Sequence, residues 1–138
     1  MPRIFRESTG DDATMYSRLC IALLSFAAFA GPAAAGSDEI FGTWMRGDGA
    51  ARVKVAACGG NICAINTWIK DPAKQNEKVG DRLVFSIKPA SDEWTGSAHD
   101  PQRNLAFSAK LKASGGRMVT TGCIIGGWIC RSTHWTKN

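Results

Sequence analysis

Two short cysteine loops constrain this chain more than any other feature. Cys58-Gly59-Gly60-Asn61-Ile62-Cys63 and Cys123-Ile124-Ile125-Gly126-Gly127-Trp128-Ile129-Cys130 each set a cysteine on either side of a glycine-rich reversal. Glycine supplies the positive φ that tight hairpins require, so each loop reads as a hairpin tip. With Gly60 and Asn61 central in the first, Gly59 faces Ile62 and Cys58 faces Cys63. With Gly126 and Gly127 central in the second, Ile125 faces Trp128, Ile124 faces Ile129 and Cys123 faces Cys130. Directly opposed residues hold their Cβ atoms roughly 4.5–5.5 Å apart, close to disulfide geometry. Two local disulfides are therefore expected, each adding about 2–2.5 kcal/mol by restricting the unfolded chain. Crossed disulfides and a four-thiolate zinc site are the alternatives. The C-x4-C and C-x6-C spacings lack the tight C-x2-C knuckles of structural zinc, so no metal is expected. No C-x-x-C is present to support redox catalysis.

Paired cysteines imply an oxidising compartment, and the first residues agree. Arg18 precedes a 12-residue apolar run from Leu19 to Ala30, and Gly31-Pro32-Ala33-Ala34-Ala35 follows with small residues at the −3 and −1 positions. That is the pattern of a cleaved signal peptide. The run is shorter than the roughly 20 residues that span a bilayer. Residues 1–35 are expected to be removed, an uncut anchor being the alternative. Met15 offers a second start, because Glu7, Asp11 and Asp12 ill suit a basic leader. Cys20 leaves with the leader, so four cysteines remain.

The mature chain, Gly36 to Asn138, is then one small domain, periplasmic or secreted, with no membrane span. Its net charge of +5 equals that of the whole sequence, since Arg3, Arg6 and Arg18 balance the three leader acids. The basic residues are spread along the domain with acids between them. A nucleic-acid-binding element would gather them on one face, so no nucleic-acid partner is expected.

From Phe41 onward no helical stripe appears. Short alternating runs separated by turn residues take its place. They cover Phe41–Arg46, Ala51–Ala57, Ile62–Ile69, Arg82–Lys88, Glu93–Ala98, Asn104–Lys112, Arg117–Cys123 and Trp128–Thr136. The longest gap is the polar stretch from Lys70 to Gly80. Eight sequential hairpin-linked strands favour an all-β antiparallel up-and-down barrel, whose closure removes exposed edges. A two-sheet sandwich is the alternative. An eight-stranded barrel is just wide enough to be filled by side chains or to hold one small ligand.

Gly42-Thr43-Trp44, Val53-x-Val55-x-x-Cys58-Gly59-Gly60-Asn61-Ile62-Cys63, Trp68-Ile69-Lys70-Asp71-Pro72, Trp94-x-Gly96, Asp100-Pro101 and Gly122-Cys123-x-x-Gly126-Gly127-x-Ile129-Cys130-Arg131-Ser132-x-x-Trp135-Thr136 run in order through almost the whole mature chain. As an ordered set they resemble the exported bacterial family called domain of unknown function 2147. The resemblance implies a periplasmic or secreted single domain without an established activity. His99 departs from it, since the family is expected to carry an aromatic residue before Asp-Pro. The opening Gly-x-Trp also resembles lipocalin-type barrels, in which the Trp plugs one end and a late-strand Arg packs on it. By that analogy Arg131 would pack on Trp44.

His99 and His134 are the only imidazoles. A nucleophile–base pair can be drawn from Ser97 or Ser132 with His99 or His134, oriented by Asp100, provided the fold brings them within about 3 Å. No Gly-x-Ser-x-Gly elbow supports it, and the carboxylates fall in turns rather than in a recognisable acid pair. The five tryptophans read first as core plugs. Read as ligand contacts, Trp44, Trp68 and Trp128 are the candidates, with Arg131. The expected function is non-enzymatic binding of a small apolar or amphipathic ligand, or an envelope component, without a cofactor. A fully packed barrel that docks another protein is the alternative, and a hydrolase the remote one.

Overall fold

Alternation of inward and outward side chains builds eight antiparallel strands. The computed structural model describes residues Gly36–Asn138; the expected signal peptide, residues 1–35, lies outside the described residues. A single helical turn, α1 (Ser37–Ile40), leads into β1 (Gly42–Arg46), β2 (Ala51–Cys58), β3 (Asn61–Ile69) and β4 (Arg82–Ala90). The chain continues through β5 (Glu93–Asp100), β6 (Leu105–Ser114), β7 (Arg117–Ile124) and β8 (Ile129–Lys137). Each strand pairs with its neighbour in sequence, and β8 returns to β1, closing an up-and-down barrel. The expected barrel is thus present and the sandwich is not. The closing ladder is the shortest, with Trp44↔Lys137, Met45↔Thr136 and Arg46↔Trp135, whereas β7–β8 aligns eight pairs.

Because the chain reverses at every turn, the connections alternate between two ends. Turns 47–50, 101–104 and 125–128 share one end with the long 70–81 loop. Turns 59–60, 91–92 and 115–116 share the other with α1 and Asn138. This second end is plugged. Ile40 and Trp44 are fully buried there, above Leu111, Met118 and Trp94. The Trp44 indole Nε1–H donates to the Ile40 carbonyl at 2.9 Å, which fixes α1 across the barrel bottom. Asn138 N donates to the Thr43 carbonyl at 2.9 Å and ties down the other terminus. Gly96 of β5 is required by packing. A Cβ at that position would collide with the Ser86 carbonyl of β4, and its φ of 157° disfavours side chains as well.

Both disulfides form, Cys58–Cys63 at the plugged end and Cys123–Cys130 at the other. The second hairpin has the expected register, Cys123↔Cys130 and Ile124↔Ile129. The first differs by one residue. Gly59 and Gly60 are central, Cys58 lies opposite Asn61, and Cys63 lies opposite Ala56. Gly59 has φ 66°, the positive value a two-residue hairpin wants at its first central position. The disulfide therefore crosses diagonally between residues on the outer face, with Cα atoms 5.7 Å apart. Two turn assignments also shift. Pro89 and Ala90 extend β4, and His99 and Asp100 end β5, paired with Val84, Ala106 and Leu105.

Candidate functional site

At the end opposite the plug, inward side chains enclose a cavity of about 610 Å³. That is within the roughly 300–1,000 Å³ of small-molecule pockets. Its inner wall is apolar, formed by Val53, Val55, Phe85, Phe107, Leu111 and Met118. Phe107 packs against bare β7 backbone at Gly122, where ring atoms lie 2.9 Å from the position of an added Cβ. Trp135 also faces this space, its Nε1–H donating to Thr120 Oγ1 at 3.0 Å.

Towards the mouth the lining becomes charged, and three turns are stitched together. Arg46 ends β1 and reaches Glu77 of the long loop, Nη1 to Oε2 at 2.7 Å, and Asp48, Nε to Oδ1 at 3.0 Å. Asn66, buried on β3, donates to Glu77 Oε1 and to the Lys78 carbonyl, both at 3.3 Å. On the other side Arg103 Nη1 meets Asp100 Oδ2 at 2.6 Å, and its Nη2 donates to the Asn76 carbonyl. Gln102 clamps β4: Arg82 N donates to its Oε1 at 3.1 Å and its Nε2 donates to the Arg82 carbonyl at 2.8 Å. The 70–81 loop is therefore held from both flanks.

Asp100 anchors that network from a position only 5% exposed. Its Oδ1 accepts from Gln102 N, Gln102 Nε2 and Arg103 N. Burial alone would raise the carboxyl pKa. Hydrogen bonds from Arg103 and Gln102 outweigh burial and hold it below the usual carboxylate range. Arg46 follows the same logic, with burial opposed and overcome by Glu77 and Asp48, so its charged form is favoured.

Arg82 and Arg131 also line the cavity, yet neither enters an ion pair among the described residues. Beside them the lip is apolar. Leu105, Ile124 and Ile129 line it, and Ile125 and Trp128 project from the stapled hairpin tip.

Of the residues expected to contact a ligand, Arg131 alone lines this cavity. Trp44 is the plug at the far end. Its stacked cation is Lys137, with Nζ 5.1 Å from the ring centre, in the place the lipocalin analogy assigned to Arg131. Trp68 lies on the outer wall of β3 under Arg52, whose Cζ is 5.6 Å from the ring centre. Trp128 is 86% exposed at the hairpin tip.

The catalytic combinations do not assemble. Alternation turns Asp100 inward and the exposed His99 outward on β5, so the carboxylate serves Arg103 and Gln102. Ser132 and His134 share the outer face of β8, but the Ser132 hydroxyl is bonded to Thr121 Oγ1 at 2.8 Å. Among the described residues no cluster of three or more His, Cys, Asp or Glu is arranged to hold a metal.

The charged mouth was missed from sequence, where Asp81 and Asp100 read as separate turn residues. Parity carries the missing signal. In a meander, alternate connections meet at one end, which gathers Asp48, Glu77, Asp81, Asp100 and Arg103 in space.

A closed eight-stranded barrel, one end plugged by a tryptophan and the other opening on a cavity of about 610 Å³, is a small up-and-down barrel. The chain belongs to the family described as Uncharacterized protein conserved in bacteria (DUF2147), which matches residues 42–137, all eight strands of the barrel. No curated protein and no solved structure matches it significantly.

Proposed function

We propose that this barrel is a non-enzymatic binding protein of the bacterial envelope or secreted fraction, taking one small apolar or amphipathic molecule into its lumen. The observation that carries the reading is the cavity of about 610 Å³, apolar inside and open at one end. Burial of an apolar guest there gains about 25 cal/mol for each Å² removed from water. A fully packed barrel serving only as a docking module fits that space poorly. Two disulfides support an extracytoplasmic setting, and no helix among the described residues is long and apolar enough to cross a membrane.

Titration with an uncharged environment-sensitive fluorophore such as N-phenylnaphthylamine tests the reading. Saturable binding by the wild type is expected, together with its loss in Ala64→Trp, which fills the lumen from β3. Failure of the wild type to bind, or undiminished binding by a folded Ala64→Trp, would sink the proposal.

A further inference from the structure

Resting on that binding reading, we infer that the preferred guest is an amphiphile with a single anionic head, and that Arg131 receives the head inside the mouth. Four arginines and three carboxylates line the cavity. The carboxylates are all engaged: Glu77 by Arg46 and Asn66, Asp100 by Arg103 and Gln102, and Asp81 by the Lys78 amide and Arg103. Among the described residues the charges without an ion-pair partner here are cationic, Arg82 and Arg131.

Arg131 is the more telling of the two. It lines the cavity at the solvent-exposed mouth, with Ile129 and Thr133 two residues to either side on β8. Its cross-strand partner is Gly122, which offers no side chain at all. Among the described residues Arg131 has no ion-pair partner, and the cavity wall beside it is formed by Ile124, Ile129 and Phe107 with the hydroxyls of Thr121 and Thr133. A planar fork in such a setting suits a carboxylate, sulfate or phosphate, which it can grip through two parallel N–H···O bonds. An apolar chain attached to that head would run down the Val53, Phe85, Leu111 and Met118 wall towards the plug. A cationic head would instead meet Arg82 and Arg131, neither of which is ion-paired among the described residues.

Displacement of the same uncharged fluorophore by decanoate, decyl sulfate, decyl phosphate, decanol and decyltrimethylammonium, all below their micelle concentrations, tests the inference. The anionic heads are expected to compete about tenfold better than decanol, the scale of one charge-assisted hydrogen bond, and the ammonium worst. Comparison of decanoate with decyl phosphate tells a free acid from a phosphate-headed lipid fragment. Arg131→Met should erase the preference for anions, read as the ratio of decanoate to decanol competition within the variant, and Arg131→Lys should restore part of it. If Arg131→Met alters the near-ultraviolet circular dichroism, Arg131→Lys and Arg82→Met carry the comparison. Equal competition by decanol and decanoate, or an anion preference that survives the Arg131 variants, would overturn the inference and leave lumen binding standing. A wild type that ignores the fluorophore overturns both.

Discussion

The two ends of this barrel are made from the same eight strands with the same alternation, yet they solve opposite problems. At the plugged end, Ile40, Trp44, Leu111 and Met118 exclude water and the Trp44 indole is satisfied at home, Nε1 to Ile40 O, while the buried Trp94 Nε1 beside it has no partner among the described residues. At the open end, inward positions carry Arg46, Asn66, Asp100 and Arg131, and the loops rather than the strands supply most of their partners. Stability is concentrated where the barrel is dry. Charged and polar side chains are gathered where it is wet, and the proposed binding role rests on one end being left unfilled.

The contrast can be broken most forcefully at the plug. Trp44→Ala removes the largest fully buried side chain and should cost about 3–5 kcal/mol, read from urea unfolding. Loss of far less than that would mean α1 can collapse into the gap.

The disulfides sharpen the contrast, because one lies at each end. Replacing Cys58 and Cys63, or Cys123 and Cys130, by alanine pairs should cost about 2 kcal/mol in either case, from similar short loops. Only the second pair should also weaken fluorophore binding, since it holds the hairpin whose Ile124 and Ile129 line the mouth. Identical binding in the two variants would detach the staple from the mouth.

Acid should act on the open end first. The Asp100 carboxyl is held below its unfolded value of about 3.9. Its contribution is therefore complete above that pH and is lost as pH falls through the lower folded value. Asp100→Asn should cost roughly 1–2 kcal/mol near neutrality. The gap between wild type and variant in thermal melts should close as pH falls below that unfolded value, and a gap independent of pH would refute the assignment. Smallest of all, Trp128→Ala should change stability by less than about 0.5 kcal/mol, as an exposed tip residue does. A larger loss would show that the tip packs on something.

How much of this was legible beforehand follows from how local each feature is. The strand count, the meander and both cysteine pairs depend on periodicity and on neighbours within ten residues, and all were readable. The second hairpin's register was readable too, because its four-residue turn leaves Cys123 and Cys130 directly opposed. The first failed by one step, since assuming opposed cysteines hid the diagonal bridge that the Gly59-Gly60 turn imposes. The lipocalin analogy placed Arg131 over Trp44, and Lys137 holds that place instead, while Arg131 lines the cavity. The mouth depends on residues as distant as Arg46, Glu77 and Asp100, joined only once the barrel closes, and no local pattern announces them.

The three-pair seam between β1 and β8 bears on how the molecule comes to exist. Every other ladder joins consecutive strands and can grow from its own turn, but this one must bring Arg46 to Trp135 across nearly the whole domain. Loop-closure entropy makes so distant a pairing a late event, and folding rates fall as contacts become less local. Closure of that seam should therefore set the folding rate, and the β1 amides should be the first strand amides to exchange with solvent in the native protein.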